Sequence, residues 1–312
     1  MSKNNFSLLV LLGPTATGKT KLSIDLARSV KAEIISADSM QIYREMDIGT
    51  AKASPEIRRI IPHHMIDIIS PDKKFSVADF QKAVDHIIPL IEKKGHLPML
   101  VGGTGLYIKA VIEGFLLPGM EKDFQLRDTL KELASEKGRQ AVHSKLATVD
   151  PELAKKLHPN DLRRVIRGIE IYKQTGKSKS YFIKKQKDRA PRYQNIKIGL
   201  KRPRQQLYQR INQRVEQMIE NGLVEEVKKL RAEYDLSITS LQALGYREIN
   251  DYLEGKYSLE EAVRLIKRNT RHFAKRQITW FKRDNEINWF NLAELSHSEV
   301  LQKIKNLITA KK

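Results

Sequence analysis

The sequence predicts an α/β protein: a parallel sheet flanked by helices, with an inserted all-helical subdomain and a helical C-terminal part. Three observations support this fold class. Short apolar runs alternate with helical periodicity through residues 1–118, which is the pattern of consecutive βαβ units. Residues 120–190 have helical periodicity and many charges without a convincing strand. An apolar run at 196–200 then returns the chain to the sheet, and the remainder is predicted to be helical.

The predicted strands are short apolar runs of the kind that parallel sheets bury on both faces. The first covers residues 7–12 and ends at Gly13-Pro14. Further strands are expected at 33–36, 65–69, 97–101 and 196–200. The sheet core is therefore assigned to residues 1–118 together with 195–312, and the inserted helical subdomain to 119–194.

The predicted helices carry apolar residues at spacings of three and four, often after a capping residue. Ser76 and Asp79 form a capping box that opens a helix reaching about residue 94. Asp161 is expected to cap a helix that ends near Gly176. Other helices are expected around 19–30, from Thr104 onward, around 207–218 and over 259–281, and the basic segment 184–192 is interpreted as a surface linker.

The composition favours a nucleic-acid partner. The chain has 57 Lys+Arg against 37 Asp+Glu, a formal net charge of +20, which suits a phosphate-rich ligand. No apolar run approaches the ~18 residues that a membrane span needs. The absence of cysteine excludes disulfides, thiolate metal sites and a cysteine nucleophile, and it makes the cytoplasm the default compartment. Nothing in the sequence demands more than a monomer.

A phosphate-binding loop follows the first predicted strand. The segment matches G-x-x-x-x-G-K-[ST] in full and precedes a predicted helix, the context that distinguishes such a loop from a Gly-rich turn. Its backbone N–H groups would face an anion, Lys19 would add a cation, and the Thr20 hydroxyl would hold Mg²⁺. The fold is therefore expected to be P-loop NTPase-like, with a diphosphate site at Gly13, Pro14, Thr15, Ala16, Thr17, Gly18, Lys19 and Thr20.

Asp38 follows the second predicted strand and should face the same crevice, because ligands gather at the carboxyl ends of parallel strands. It could bind Mg²⁺ with Thr20, act as a general base, or cap a following helix. The apolar strand at 97–101 ends in Gly102-Gly103-Thr104 rather than in the acid that organises Mg²⁺ in most kinases.

Several ordered segments resemble the tRNA dimethylallyltransferases, also called tRNA isopentenyltransferases, over nearly the whole chain. The segments are the phosphate loop at 13–20, Asp-Ser-Met-Gln-Ile-Tyr with Met-Asp-Ile-Gly-Thr-Ala-Lys at 38–52, Val-Gly-Gly-Thr-Gly-Leu-Tyr at 101–107, His-Pro-Asn-Asp at 158–161 with Arg163-Arg164, Gly-Tyr-Arg at 245–247 and Lys-Arg-Gln-Ile-Thr-Trp at 275–280. Eukaryotic relatives tend to carry a C-terminal zinc finger, so a chain without cysteine resembles the bacterial form.

The resemblance implies transfer of a dimethylallyl group from dimethylallyl diphosphate to N6 of adenosine 37, beside the anticodon of tRNA. It implies that Asp38 is the catalytic base, that Thr15, Thr104 and Arg210 are further catalytic residues, and that Mg²⁺ is the cofactor. Residues expected to contact the tRNA anticodon loop are Asp38, Ser39, Met40, Gln41, Thr104, Arg127, Leu162, Arg163, Arg164, Val165, Ile166, Gly245, Tyr246, Arg247, Arg271, Lys275 and Arg276.

A basic stripe supports the RNA prediction independently. Residues 262–283 contain eight Lys or Arg and no Asp or Glu. The stripe consists of Arg264, Arg268, Arg271, Lys275 and Lys282, which share one helical face. A solvated helix face usually carries both signs of charge, so phosphate contact is the better interpretation.

Other functions compete with this one. A kinase or NTPase acting on a small molecule or an RNA end would use the same phosphate loop, a non-catalytic RNA-binding module would explain the charge, and an adenylate isopentenyltransferase would act on free nucleotides. His63-His64 is not assigned to a metal because adjacent side chains do not converge easily on one ion.

Overall fold

The computed structural model describes residues 7–116, 123–235, 240 and 242–311. The chain forms two compact units, one of Met1–Ile112 with Tyr193–Lys312 and the other of Glu113–Arg192. The first predicted subdomain boundary, at Pro118-Gly119, lies outside the described residues. The second predicted boundary, between residues 194 and 195, lies within two residues of the observed boundary at Tyr193. Within the described ranges, no helix combines the length and apolar character needed to cross a bilayer.

The described part of the first unit contains a six-stranded sheet whose neighbouring strands are all parallel, as the α/β prediction requires. The strand order is β3-β2-β4-β1-β5-β6. The strands are β1 Leu8–Leu12, β2 Ala32–Ala37, β3 His63–His64, β4 Leu97–Gly102, β5 Asn195–Lys201 and β6 Asn288–Asn291. Because the strands are parallel, their carboxyl ends lie at one edge of the sheet.

The described helices pack on this sheet, pack on one another elsewhere in the first unit, or form the second unit. They are α1 Lys19–Val30, α2 Pro55–Ile60, α3 Val77–Lys93, α4 Gly105–Glu113, α5 Phe124–Glu136, α6 Gly138–Val149, α7 Pro151–Ala154, α8 Leu162–Thr175, α9 Lys179–Lys187, α10 Arg204–Glu220, α11 Leu223–Glu233, α12 Tyr246–Leu253, α13 Leu259–Phe281 and α14 His297–Ala310. The long helix predicted over 259–281 is confirmed as α13.

Strand β1 explains how the sheet is buried on both faces. Its residues alternate between two apolar cores, Leu9 packing in a cluster with Leu22 of α1 and Leu8 in a cluster with Phe80 of α3. All five residues of β1 are buried, and full burial stabilises each such side chain by about 1.5–3 kcal/mol. The apolar run of the sequence is therefore the centre of the fold.

Two capping predictions have different outcomes. Ser76 and Asp79 form the predicted capping box at α3, with both reciprocal hydrogen bonds present. Asp161 occupies the position before α8 but its carboxylate does not cap the helix. It instead lies 3.0 Å from Arg164, so the predicted boundary is right and the predicted hydrogen bond is wrong.

Three element predictions need correction. The strand predicted at 65–69 is reduced to an isolated bridge between Ile69 and Tyr43, and the paired strand is β3, directly before it. Met65 and Asp67 have φ of 62° and 56°, and this left-handed backbone cannot continue a strand. Strand β6 was not predicted, and the linker predicted at 184–192 begins as the last turns of α9.

The second unit is a set of helices around its own apolar core. Val142 and Leu146 of α6 pack there with Val165 and Ile169 of α8. Beside this core the buried Glu170 carboxylate accepts hydrogen bonds from the Arg127 guanidinium at 2.7 Å. Burial alone would raise the pKa of Glu170, but Arg127 and Arg167 outweigh it and lower that pKa to about 2.

A second buried carboxylate lies at the edge of the sheet away from the strand carboxyl ends. Glu33, near the start of β2, accepts hydrogen bonds from His64 at 2.7 Å, His96 at 2.9 Å and Lys94 at 3.0 Å. Burial favours the protonated form, but these three hydrogen bonds outweigh it and lower the pKa of Glu33 from 4.5 to about 2. The charged form therefore stabilises the fold.

We expect Glu33→Gln to lower the free energy of unfolding at pH 7 by about 3 kcal/mol, because it removes one member of a buried ionic cluster. Since the folded pKa lies below the unfolded one, the contribution is complete above about pH 4.5 and is lost as the pH falls toward 2. Urea unfolding at pH 7 and pH 3 measures it, with the exposed Glu220→Gln as the control. Equal stability of both variants at pH 7 would contradict this account.

Candidate active site

The phosphate loop lies between β1 and α1, as predicted. Gly18 precedes α1 with φ of 107°, a conformation that favours glycine, and it lets the loop turn into the helix N-terminus. A Cβ at Gly13 would lie 2.6 Å from the Leu200 carbonyl oxygen of β5, so only glycine fits there. The Thr17 hydroxyl donates to the Pro14 carbonyl at 2.8 Å and holds the loop closed.

Lys19 points back into this loop. Its Nζ donates to the carbonyl oxygens of Gly13 at 2.9 Å and Pro14 at 2.8 Å. Burial is the main reason that the pKa of Lys19 falls to about 7, and the nearby Arg214 lowers it further, while Asp38 opposes the shift. The Lys19 ammonium is therefore poorly hydrated and lies near another positive charge. Binding of an anion beside it would stabilise its charged form.

Two arginines of α10 approach the loop from the side. Arg210, which the sequence predicts, donates from Nε to the Ala16 carbonyl at 2.9 Å. Arg214 was not predicted, yet its Nη1 lies 3.4 Å from the Thr15 hydroxyl, and burial lowers its pKa. The two are four residues apart and share one face of α10, so a search of that face for a second cation could have found Arg214.

Asp38 follows β2 at the same edge of the sheet. Its Oδ1 accepts from the Met40 amide at 2.9 Å, and the Ser39 amide donates to the Thr104 hydroxyl at 3.2 Å. The residues directly after Asp38 form turns, so the helix-cap alternative is wrong. The carboxylate is instead held in a loop beside Thr104.

A glutamine from α13 joins two of these loops. Gln277 Oε1 accepts from the Thr15 amide at 2.9 Å, and its Nε2 donates to the Gly103 carbonyl at 3.0 Å. In the sequence, Gln277 stands out only as part of the motif at 275–280. Its role could not be predicted, because both partners lie more than 170 residues away.

The segment after Asp38 is held by a carboxylate that sequence reasoning also missed. Glu226 of α11 accepts from the amides of Asp47 at 3.0 Å, Ile48 at 2.8 Å and Gly49 at 3.3 Å. Tyr246 donates its hydroxyl to the same carboxylate at 2.6 Å. Hydrogen bonds from three consecutive backbone N–H groups to one carboxylate hold this loop in place, although it has no regular secondary structure.

These groups open into one cavity of about 1190 Å³ in the first unit. Lys19, Thr20 and Asp38 line it, together with Thr104 and Arg214. Within the described residues, no group of three or more His, Cys, Asp or Glu could hold a metal ion. A hydroxyl and a carboxylate nevertheless fit Mg²⁺, because this ion usually takes one or two protein oxygens and completes its shell with phosphate and water.

The residues predicted to contact tRNA separate into three groups. Eight of them line the cavity: Asp38, Ser39, Met40, Gln41, Thr104, Gly245, Arg247 and Arg276. Four side chains are exposed or half-exposed elsewhere: Arg163, Arg164, Arg271 and Lys275. The remaining five are Arg127, Leu162, Val165, Ile166 and Tyr246, and their side chains pack inside the protein or pair there.

The side chains of the last group are packed or paired within the protein, and their contact with tRNA stays a prediction. Val165 and Ile166 are buried in the core of the second unit, and Leu162 packs against it. Arg127 is paired with Glu170. Tyr246 is 3% exposed, its ring covering Gly49 so closely that a Cβ there would lie 2.4 Å from Cε2. Packing and ion pairing account for the positions of these side chains.

The basic stripe lies on α13 as predicted, but part of its charge is neutralised. Arg264 is paired with Glu261 at 2.5 Å, at the exposed start of the helix. Arg271 donates to the Asn212 carboxamide at 2.8 Å and lies over the Tyr208 ring. Lys275 is exposed. The stripe therefore has its free cationic charge toward the middle and end of the helix.

Comparisons with known proteins place this chain among similar sequences of one kind. The family model described as IPP transferase matches residues 41–284, and one described as isopentenyl transferase matches residues 6–60. The tRNA dimethylallyltransferase of Halothermothrix orenii is 60% identical over 97% of this chain and 93% of its own length. That of Carboxydothermus hydrogenoformans is 49% identical over 95% of this chain and 96% of its own length.

Solved structures give the same assignment. A tRNA isopentenylpyrophosphate transferase from Bacillus halodurans is 45% identical, with a TM-score of 0.74 over 98% of this chain and 96% of its own. A eukaryotic dimethylallyltransferase described as acting on tRNA is 27% identical, with a TM-score of 0.83 over 98% of this chain and 80% of its own. The chain therefore belongs to the tRNA dimethylallyltransferase family.

Proposed function

We propose that the protein transfers the dimethylallyl group from dimethylallyl diphosphate to N6 of adenosine 37, beside the anticodon of tRNA. The products are N6-isopentenyladenosine and diphosphate. The observation that carries this proposal is that a phosphate loop and a carboxylate, Asp38, line the same cavity in a chain of this family. The phosphate loop is suited to binding the leaving diphosphate, and the carboxylate is suited to taking a proton from the attacking amino group.

The phosphate loop stabilises the leaving group. During transfer the bond between C1 of the dimethylallyl group and the diphosphate oxygen breaks, and its electron pair leaves with the diphosphate. The amides at the start of α1, the Lys19 ammonium and the guanidiniums of Arg210 and Arg214 face the developing charge. Preorganised donors of this kind in a desolvated site are the strongest contribution that a protein makes to such a step.

Asp38 accepts the proton. The adenine amino group is a weak nucleophile because its lone pair is delocalised into the ring, so it attacks C1 more readily as its proton passes to a base. Met40 occupies Asp38 Oδ1, and we therefore assign Oδ2 to the proton. The new bond joins N6 to C1. The N6–H bond breaks and its proton passes to Asp38, while the electron pair of the broken C1–O bond leaves with the diphosphate.

Magnesium is proposed as the cofactor. Thr20 and Asp38 supply oxygen atoms at the cavity wall, and the diphosphate oxygens would supply others. Bound there, the ion would neutralise charge on the leaving group.

We propose that exposed Lys and Arg side chains bind the phosphates of the tRNA. Arg163 and Arg164 lie on the second unit, while Lys275 and Arg276 lie on α13 near the cavity. Sequence-specific RNA contacts are usually made to unstacked loop bases, and adenosine 37 must leave its stack to reach Asp38. A monomer in the cytoplasm remains the expected form of the enzyme.

The first prediction is a covalent product. Incubation with dimethylallyl diphosphate, Mg²⁺ and unmodified tRNA should add one dimethylallyl group to the adenosine beside the anticodon, detected by mass spectrometry of the digested RNA. Chelation of Mg²⁺ should abolish it, and free AMP should remain unmodified. Turnover of AMP, or ATP hydrolysis dependent on Lys19 without any adduct, would favour the competing enzyme classes.

The second prediction concerns Asp38. We expect Asp38→Asn to lower kcat by about 10²-fold or more, the usual contribution of a general base, while tRNA affinity changes little. Single-turnover kinetics and direct tRNA binding separate the two effects, with the exposed Asp235→Asn as the matched control. If Mg²⁺ affinity falls in parallel with kcat, Asp38 is a metal ligand; unchanged kcat removes it from the mechanism.

The third prediction follows from Lys19. Its pKa of about 7 means that the free protein loses this proton above neutral pH, whereas bound diphosphate favours the ammonium. Binding of dimethylallyl diphosphate at pH 8 should therefore take up a proton, and affinity should fall as the pH rises through 7. Calorimetry in two buffers of different ionisation enthalpy measures the uptake. Lys19→Arg, which stays charged, should take up fewer protons; equal uptake would contradict the assignment.

A further inference from the structure

Three hydrogen bonds, joined through residues adjacent in sequence, connect the phosphate loop to the loop that carries Asp38. The first two pass from the Thr15 amide through the Gln277 side chain to the Gly103 carbonyl. The next residue, Thr104, accepts from the Ser39 amide through its hydroxyl. Ser39 directly follows Asp38. The clamp for the leaving group and the proton acceptor are therefore connected through one side chain of α13.

The contacts of Gln277 fix the orientation of its amide. The Thr15 N–H requires an acceptor and the Gly103 carbonyl requires a donor, so the oxygen must face Thr15 and the nitrogen must face Gly103. The side chain is 7% exposed, so water cannot readily replace either contact. Loss of either partner would leave a buried polar group unsatisfied.

The surroundings leave the amide little room. A Cβ at Gly103 would lie 2.2 Å from Gln277 Nε2, so the loop approaches as closely as a glycine permits. One turn later, the Trp280 ring packs over Gly105, where a Cβ would lie 2.3 Å from Cδ1. Helix α13 is thus seated against the loop after β4 at two successive positions.

We propose that Gln277 is a positioning residue for the transfer reaction, setting the separation between the phosphate loop and the Asp38 loop. This inference rests on the proposed function. Gln277 takes the Thr15 N–H away from the anion and uses it to anchor the loop to Gly103. The diphosphate is held by the remaining donors, and Gln277 acts through Thr15 and Gly103 rather than on the substrates.

This role has a distinct kinetic consequence. The reaction requires C1 of the bound diphosphate ester to lie in line with N6 of the adenosine, and a misplacement of about 1 Å costs about 100-fold in rate. A change in the separation of two otherwise intact loops should therefore lower kcat. Each substrate should still bind, because each loop keeps its own contacts.

The test uses the full chain with Gln277→Met, which preserves the size of the side chain and removes both hydrogen bonds. We expect kcat for tRNA prenylation to fall about 10- to 100-fold, while the directly measured Kd of tRNA and of dimethylallyl diphosphate each change less than about threefold. Gln277→Glu keeps the acceptor for Thr15 and should give an intermediate kcat. Gln302→Met, on the exposed face of α14, is the matched control and should behave as the wild type.

The outcomes are distinguishable. A kcat within about threefold of the wild type in folded Gln277→Met overturns the inference, and so does a loss of kcat matched by an equal loss of diphosphate affinity. If Gln277→Met does not fold, Gly103→Ala decides instead, because its Cβ displaces the same amide and should lower kcat without weakening tRNA binding. Failure of the wild-type chain to form any adduct would instead overturn the proposed function itself.

Discussion

The candidate site depends on how closely backbone segments approach one another at the carboxyl edge of the sheet. A Cβ at Gly102 would lie 2.2 Å from the Ala37 carbonyl, and one at Gly13 would lie 2.6 Å from the Leu200 carbonyl. Glycines therefore stand where the end of β4 meets the end of β2, and where the loop after β1 meets β5. The parallel arrangement brings the loops to one edge, and the glycines let their side chains share one cavity.

Electrostatic forces then set what this edge can bind. Lys19 and Arg214 are both desolvated, and the pKa of each is lowered by burial. Asp38 is the nearby charge that opposes the shift at both residues. The clustered cations favour binding of a polyanion, and Asp38 is the carboxylate that we propose as the proton acceptor beside them. The net charge of +20 acts over a longer range and favours the approach of RNA.

The sequence predicted the parts of the fold that depend on local pattern. The apolar run at β1, the phosphate loop and the Ser76 capping box are local, and each has the expected form. Strand β6 was not predicted because it is only four residues long and has asparagine at both ends. It forms a strand through its pairing with β5. Met65 and Asp67 were misassigned because apolar composition does not reveal a left-handed backbone. The roles of Gln277 and Glu226 required knowledge of partners distant in the chain.

The carbonyl contacts of Lys19 have a consequence for the end of the catalytic cycle. The Lys19 ammonium donates to the Gly13 and Pro14 oxygens, so the backbone of the loop itself supplies two acceptors for its charged form. In the proposed reaction these oxygens are available to the ammonium as diphosphate departs, which would offset part of the free energy lost with the anion. Under the proposed reaction, the lysine that holds the leaving group therefore keeps hydrogen-bond partners while the product is released.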